Sequence, residues 1–220
     1  MSSLAEHPGA WLLIVGLGCY HGMNPGMGWL FAVSNGMQAR RGSAVFTALP
    51  PLAAGHFLAM AAVLLPLALL IAYLERLRQI SLAAGFLLIG FGLYKLIHRR
   101  HPRFLARIGP SHLMLWSFLM ASAHGAGLML APVYLDLCTQ QHAGAVGHGA
   151  MEQLMGSGVV SAALVALVHT LAMIVTGGLI AWAVYRYLGL KLLRRAWFNL
   201  DLLWALCLVL VGGIAVAMML

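Results

Sequence analysis

Four histidines, His21, His56, His124 and His169, lie inside long apolar runs that carry almost no other ionisable side chain. A polar ring at such depth is costly in lipid and normally faces a bundle interior or a wet cavity. Imidazole is neutral over much of the physiological range and ligates borderline metals such as zinc, nickel, cobalt and copper. Within these runs Asp and Glu occur only near the ends, at Asp136 and Asp201. A hard-cation site for calcium or magnesium, which needs oxygen ligands, is therefore excluded at the centre. Any proton carried there would have to ride on histidine. Separate helix-to-helix hydrogen bonds are the competing use of the same four rings.

Methionine spacing adds a second element. Met60 follows His56 by four residues, Met173 follows His169 by four, and Met120 precedes His124 by four. Each pair shares one helical face. Thioethers favour soft ions such as Cu(I), although methionines in an apolar chain mostly serve packing. The first run holds the sequence His21-Gly22-Met23-Asn24-Pro25-Gly26-Met27-Gly28-Trp29. Pro25 has no N–H and is expected to free the carbonyl of His21. Gly22 and Gly26 allow unusual dihedrals and close helix approach. Asn24, three residues from His21, brings a donor and an acceptor to the same face. A helix broken at this depth is tolerated only where protein or a water-filled cavity satisfies its backbone. Asn24, Met60, Met120 and Met173 are thus candidate substrate-binding residues, with Pro25, Gly22 and Gly26 making the break. Pro132 is placed to free the carbonyl of Leu128, and Pro50, Pro51 and Pro66 to kink the second run. His142 and His148, with His7, either gather a metal at an outer mouth or are merely solvated.

These residues need elements to hold them. The chain has 220 residues, 62% apolar and 8% charged, where a soluble domain carries about 25% charged residues. That excludes a soluble globule and a disordered chain, and leaves an all-α polytopic membrane protein. Six apolar runs, roughly 10–34, 48–74, 80–97, 111–137, 158–186 and 199–220, are read as transmembrane helices. Outer-membrane strands would instead be short segments of alternating polarity. Cys19, Cys138 and Cys207 form no CxxC pair, so no disulfide framework is expected. The first run has no basic flank or cleavage site before it and is read as a retained span.

The net charge of +8 points to topology rather than to nucleic acid. Eleven of the thirteen Lys and Arg fall on one side of a six-span arrangement, and only Arg76 and Arg78 on the other. By the positive-inside rule both termini lie outside the cytoplasm, in an inner or plasma membrane. The basic stretch Lys95 to Arg107 would face anionic lipid headgroups, and tryptophans near the run ends would act as interfacial anchors.

The histidines also mark an internal repeat. His56-Phe57-Leu58-Ala59-Met60 matches His169-Thr170-Leu171-Ala172-Met173 at four of five positions, and His21-Gly22 is echoed by His124-Gly125. Residues 1–97 then form a first three-helix repeat, 98–110 a basic cytoplasmic connection and 111–220 a second repeat. With three crossings each, the halves must be inverted relative to one another, a common transporter plan with its site near mid-bilayer.

The layout resembles the lysine-exporter superfamily of small six-span carriers, which includes amino-acid exporters and a nickel/cobalt exporter branch. The resemblance rests on the three-plus-three plan and on Asn24-Pro25-Gly26, similar to that family's Pro-Gly element, with histidine nearby as in the metal branch. The branch's His-Asp pairing is absent here. The inverted plan is also similar to thiol-reductant carriers of cytochrome c maturation, but Cys19 and Cys138 do not stand at equivalent points. The expectation is a small carrier moving a transition-metal ion (Zn, Ni, Co or Cu) or a small solute, with His21, His56, His124 and His169 as the metal site. The lipid bilayer is its surrounding partner, and a homo-oligomer stays open. The alternative is a membrane redox or enzyme module in which the histidines hold haem b, copper or a di-metal centre.

Overall fold

The computed structural model describes residues 8–74, 77–97, 112–142, 150–188 and 200–219. Within these the chain is helical, with no strand. The elements are α1 (Pro8–Met23), a 3-10 turn (Pro25–Met27), α2 (Trp29–Ala39), α3 (Ser43–Thr47), α4 (Leu49–Leu74) and α5 (Leu77–Ile97). They continue with α6 (Leu113–His124), α7 (Ala126–His142), α8 (Ala150–Ala183), a π-helical turn (Val184–Leu188) and α9 (Leu200–Met219).

Two stretches are long and apolar enough to cross a membrane, Ser43–Leu70 with 28 residues and Gly158–Tyr187 with 30. A third qualifies as a pair bent by 60°, Leu113–His124 with Ala126–Leu135. Leu82–Ile97 and Ala205–Ala217 are apolar but shorter. On length and composition the described residues therefore supply two membrane-crossing helices, or three with the bent pair, where the apolar runs led us to expect six. The first run is not one helix. α1 stops at Met23, because Pro25 cannot donate to a helical carbonyl, and the chain resumes after Gly28 at φ 105°. A side chain at that φ would be strained, so glycine makes the corner available. Gly125, at φ 71°, does the same between α6 and α7. Pro50 and Pro51, expected to kink the second run, fall in the first turn of α4, where a missing N–H removes no helical bond. Pro66 sits inside α4, which continues past it, and Pro132 sits inside α7.

The packing joins segments distant in sequence. α1 lies on α8, α6 on α4, α4 on α8, and α5 on α9. Small residues set the closest approaches. A Cβ on Gly18 would stand 2.6 Å from the His169 carbonyl oxygen, and one on Gly22 would collide with that of Met173. A Cβ on Gly55 would collide with the Met114 carbonyl, and Gly85 and Gly212 bring α5 and α9 together. This is how membrane helices gain contact when lipid is as apolar as their own side chains. Outward faces are apolar, with Leu12 73% exposed and Leu179 66% exposed, compatible with contact to lipid.

A polar tie fastens α6 to α4: the Ser117 hydroxyl donates to the Leu52 carbonyl at 2.7 Å, fully buried. Changing Ser117 to Ala is expected to lower stability by about 0.5–1.5 kcal/mol, read as a drop in the thermal unfolding midpoint of the detergent-solubilised protein. An unchanged midpoint would show that the carbonyl finds another donor.

Candidate functional site

The buried polar side chains of the described residues are few: His21, Asn24, His56, Ser117, His124, His169 and Thr170. Three of the histidines meet. The ring centroids of His21 and His56 are 4.9 Å apart and the planes nearly perpendicular, at 70°. His21 and His169 stand at 5.4 Å and 77°. His56 and His169 are stacked at 5.6 Å with an interplanar angle of 12°. None of the three is more than 1% exposed. The last turn of α1, the first half of α4 and the middle of α8 each contribute one ring, and Gly18 makes it feasible by letting α1 settle on the α8 backbone beside His169.

Among the described residues both ring nitrogens of His56, the Nδ2 of Asn24 and the hydroxyl of Thr170 have no hydrogen-bond partner. The Ile14 carbonyl lies near the His169 ring, outside hydrogen-bond geometry. A buried polar group left unpaired costs on the order of 1–3 kcal/mol, so this cluster is an expensive arrangement to keep empty-handed.

His124 is held differently. It ends α6, and its Nδ1 lies 2.8 Å from the Met120 carbonyl. A carbonyl can only accept, so Nδ1 carries a proton. It lies within electrostatic reach of His21 and His56. A Cβ on Gly26 would stand 3.8 Å from His124 Cε1, 3.3 Å from Asn24 Oδ1 and 3.7 Å from Met120 Cε. The absence of a side chain at Gly26 therefore lets the break of the first run press against the break of the fourth.

The break itself is better satisfied than the sequence implies. The carbonyl of His21, expected to be freed by Pro25, accepts the Asn24 N–H at 3.1 Å. It therefore does not project an open acceptor at the site. Asn24 caps the 3-10 turn, its Oδ1 accepting the Gly26 N–H at 2.9 Å. Trp29 Nε1 donates to the Met23 carbonyl at 3.3 Å. Replacing Asn24 by Ala is expected to cost about 1 kcal/mol through the lost cap, and Asn24→Ser to recover most of it. Thermal unfolding of the two variants checks this, and equal losses would argue against a capping role.

Of the methionines, Met60 is fully buried in the apolar core with Trp11, Ile14 and Leu64. Met173 is buried and lines a small apolar recess with Gly22, Met27, Trp29, Leu49 and Leu52. Met120 is half-buried against the first break. His7 and His148 lie outside the described residues, as do the side chain of His142 and the basic stretch beyond Ile97. Cys19, Cys138 and Cys207 form no disulfide. Ser117 and Thr170 are the buried polar residues that the sequence reading passed over, and Thr170 adjoins the ring cluster through His169. For Thr170 a signal exists in the sequence: it is the one mismatch in the repeated pentapeptide, opposite Phe57.

Among the described residues no three His, Cys, Asp or Glu side chains present their ligating atoms in a metal-holding arrangement. The spacing and the orientation of the rings must be separated here. An ion bound tetrahedrally at about 2.0–2.1 Å from imidazole nitrogens would hold ring centroids roughly 5 Å apart. The measured separations of 4.9, 5.4 and 5.6 Å match that spacing. What differs is rotation of the rings, which now pack face and edge. Comparison with family models, curated proteins and solved structures returns no match for this chain.

Proposed function

We propose that the protein is a small membrane carrier whose central site is built from His21, His56 and His169, with His124 at its edge. Its substrate is a transition-metal ion, or a small solute held by the same imidazoles. The observation that carries the reading is the triangle of three buried rings at ligand spacing, one of them, His56, with both nitrogens unpartnered. The reading requires those rings to turn about their side-chain torsions so that their nitrogens aim at a common point. Asn24, Met120 and Met173 lie close enough to the breaks and to α8 to assist, Met60 to back the site from the core.

Six crossings arranged as an inverted three-plus-three repeat give this site its place in the bilayer. Several features support that arrangement. The first and fourth runs both break at a left-handed glycine, Gly28 and Gly125. α1 packs on α8 as α6 packs on α4, which exchanges the halves, while α4–α8 and α5–α9 pair each element with its own counterpart. His56 and His169, equivalent in the repeat, stack on one another, as residues beside a dyad would. In such carriers the site lies where the repeats meet. By the charge asymmetry the membrane is the inner or plasma membrane, with both termini outside the cytoplasm.

The haem alternative draws less support. Three rings in mutual contact leave no slot for a macrocycle between any two of them, so the geometry favours a small guest. The test is reconstitution in lipid vesicles with Co²⁺, Ni²⁺, Zn²⁺ or Cu⁺ offered on one side. Ion movement above protein-free vesicles, together with bound metal by elemental analysis, is the expected result. Neither movement nor binding for any of the four ions would refute metal carriage, and a Soret band would replace it with haem.

A further inference from the structure

We propose that the units that move are cross-paired: α1 with α8 form one body, α4 with α6 the other, rather than the two halves of the sequence. This rests on the carrier reading above and assigns its mechanics. Backbone approaches that a single Cβ would block occur within these pairs. Gly18 and Gly22 seat α1 on the carbonyls of His169 and Met173 in α8. Gly55 seats α4 on the Met114 carbonyl of α6, and Ser117 Oγ bonds Leu52 across the same interface. Between the bodies, α4 and α8 touch as extensively as the helices within each pair, but there Gly178 meets a side chain, a Cβ on it standing 3.0 Å from Leu49 Cδ1, and His56 meets His169 ring to ring. Surfaces locked backbone to backbone have one fit, because displacing either helix meets main-chain atoms. Side-chain surfaces can re-pack through other rotamers. Within a sequence half the joints are thin: α1 and α4 make no extensive contact, and α4 barely touches α5. Rocking one half against the other would tear both glycine seats at once. Cross-pairing also divides the site, with His21 and His169 on one body and His56 and His124 on the other. Separation of the bodies then opens the ligand set instead of carrying it intact.

The experiment uses full-length protein with Cys19, Cys138 and Cys207 replaced by Ala. One pair, Trp29→Cys with Gly177→Cys, ties α8 to the start of α2, which follows α1 through the 3-10 turn and belongs with it to the first body; a Cβ on Gly177 lies 3.6 Å from that of Trp29, within disulfide range. The other pair, Leu49→Cys with Gly178→Cys, bridges the two bodies. Flux after cross-linking is expected to stay within about twofold for the first pair. For the second it should fall more than tenfold, with ion binding retained and flux restored by reductant. Loss in the first pair with retention in the second, or equal behaviour of both, overturns the proposal. The same partition is read without any ion from spin labels at exposed positions. Leu12 to Leu171 and Leu58 to Leu119 should each give one narrow distance, and Leu12 to Leu58 a broad or double one. If the uncross-linked protein neither binds nor moves an ion, the carrier reading has failed while the label distances still decide the partition. A narrow Leu12–Leu58 distance beside a broad Leu12–Leu171 distance would refute it.

Discussion

Changing His56 to Ala is expected to weaken metal binding and flux by about 100-fold or more. Losing a group that merely orients a ligand costs 10–100-fold, and His56 would be a ligand itself. The ring is wholly buried and neither of its nitrogens has a partner. Its removal therefore orphans no hydrogen bond, and only the packing around a vacated ring is lost. This separates the two uses of a buried histidine. A ligand confers stability only when its ion is bound. At an ion concentration 100 times Kd the wild type gains about 2.7 kcal/mol, and a variant weakened 100-fold gains only about 0.4 kcal/mol. Thermal unfolding with and without ion reads both numbers. The outcome that defeats the ligand role is a large loss of midpoint in ion-free protein, with the same ion-dependent shift in variant and wild type. His56→Gln, which keeps more of the bulk, guards against a variant that simply fails to fold.

The helical character of the chain and the candidate site were legible in its sequence for one reason, the rarity of polar residues in the apolar runs. Four histidines against a leucine and alanine background mark themselves, and three of the four come together as a triangle. Asn24-Pro25-Gly26 marked the break because a proline nitrogen cannot donate, whatever surrounds it. The fate of the His21 carbonyl was not legible: satisfying it needed only a tightening of the last turn, so that Asn24 reached it from three residues on. Partner choice was hidden as well. In water the apolar face of a helix points to the core, but helices that are apolar all round, as these are, carry no periodicity that says which face meets which neighbour. The exchange that puts α1 on α8 and α6 on α4 is written mainly in glycines, and glycines look alike in sequence. Gly16 and Gly22 lie on one helix, yet only Gly22 presses on another backbone.

That contrast yields the other large effect. Gly22→Leu is expected to destabilise the protein by about 3 kcal/mol or more, and Gly16→Leu by less than about 0.5 kcal/mol. At Gly16 a new Cβ meets nothing within 4 Å, whereas at Gly22 it runs into the Met173 carbonyl, with the Thr176 Cβ at 3.0 Å and the Gly177 nitrogen at 3.1 Å behind it. A flexible side chain in the way could turn aside; α8 backbone cannot, so α1 must shift as a whole. The shift would carry His21 away from His169, because the two rings are held at 5.4 Å by helices seated through Gly18 and Gly22. Stability and site geometry should therefore fail together at Gly22 and both survive at Gly16. Unfolding midpoints and ion-dependent stabilisation of the two variants, measured in the same detergent, test the coupling. Comparable losses at both positions would mean that leucine in α1 harms the helix itself and that the seat on α8 has no special part in holding the site.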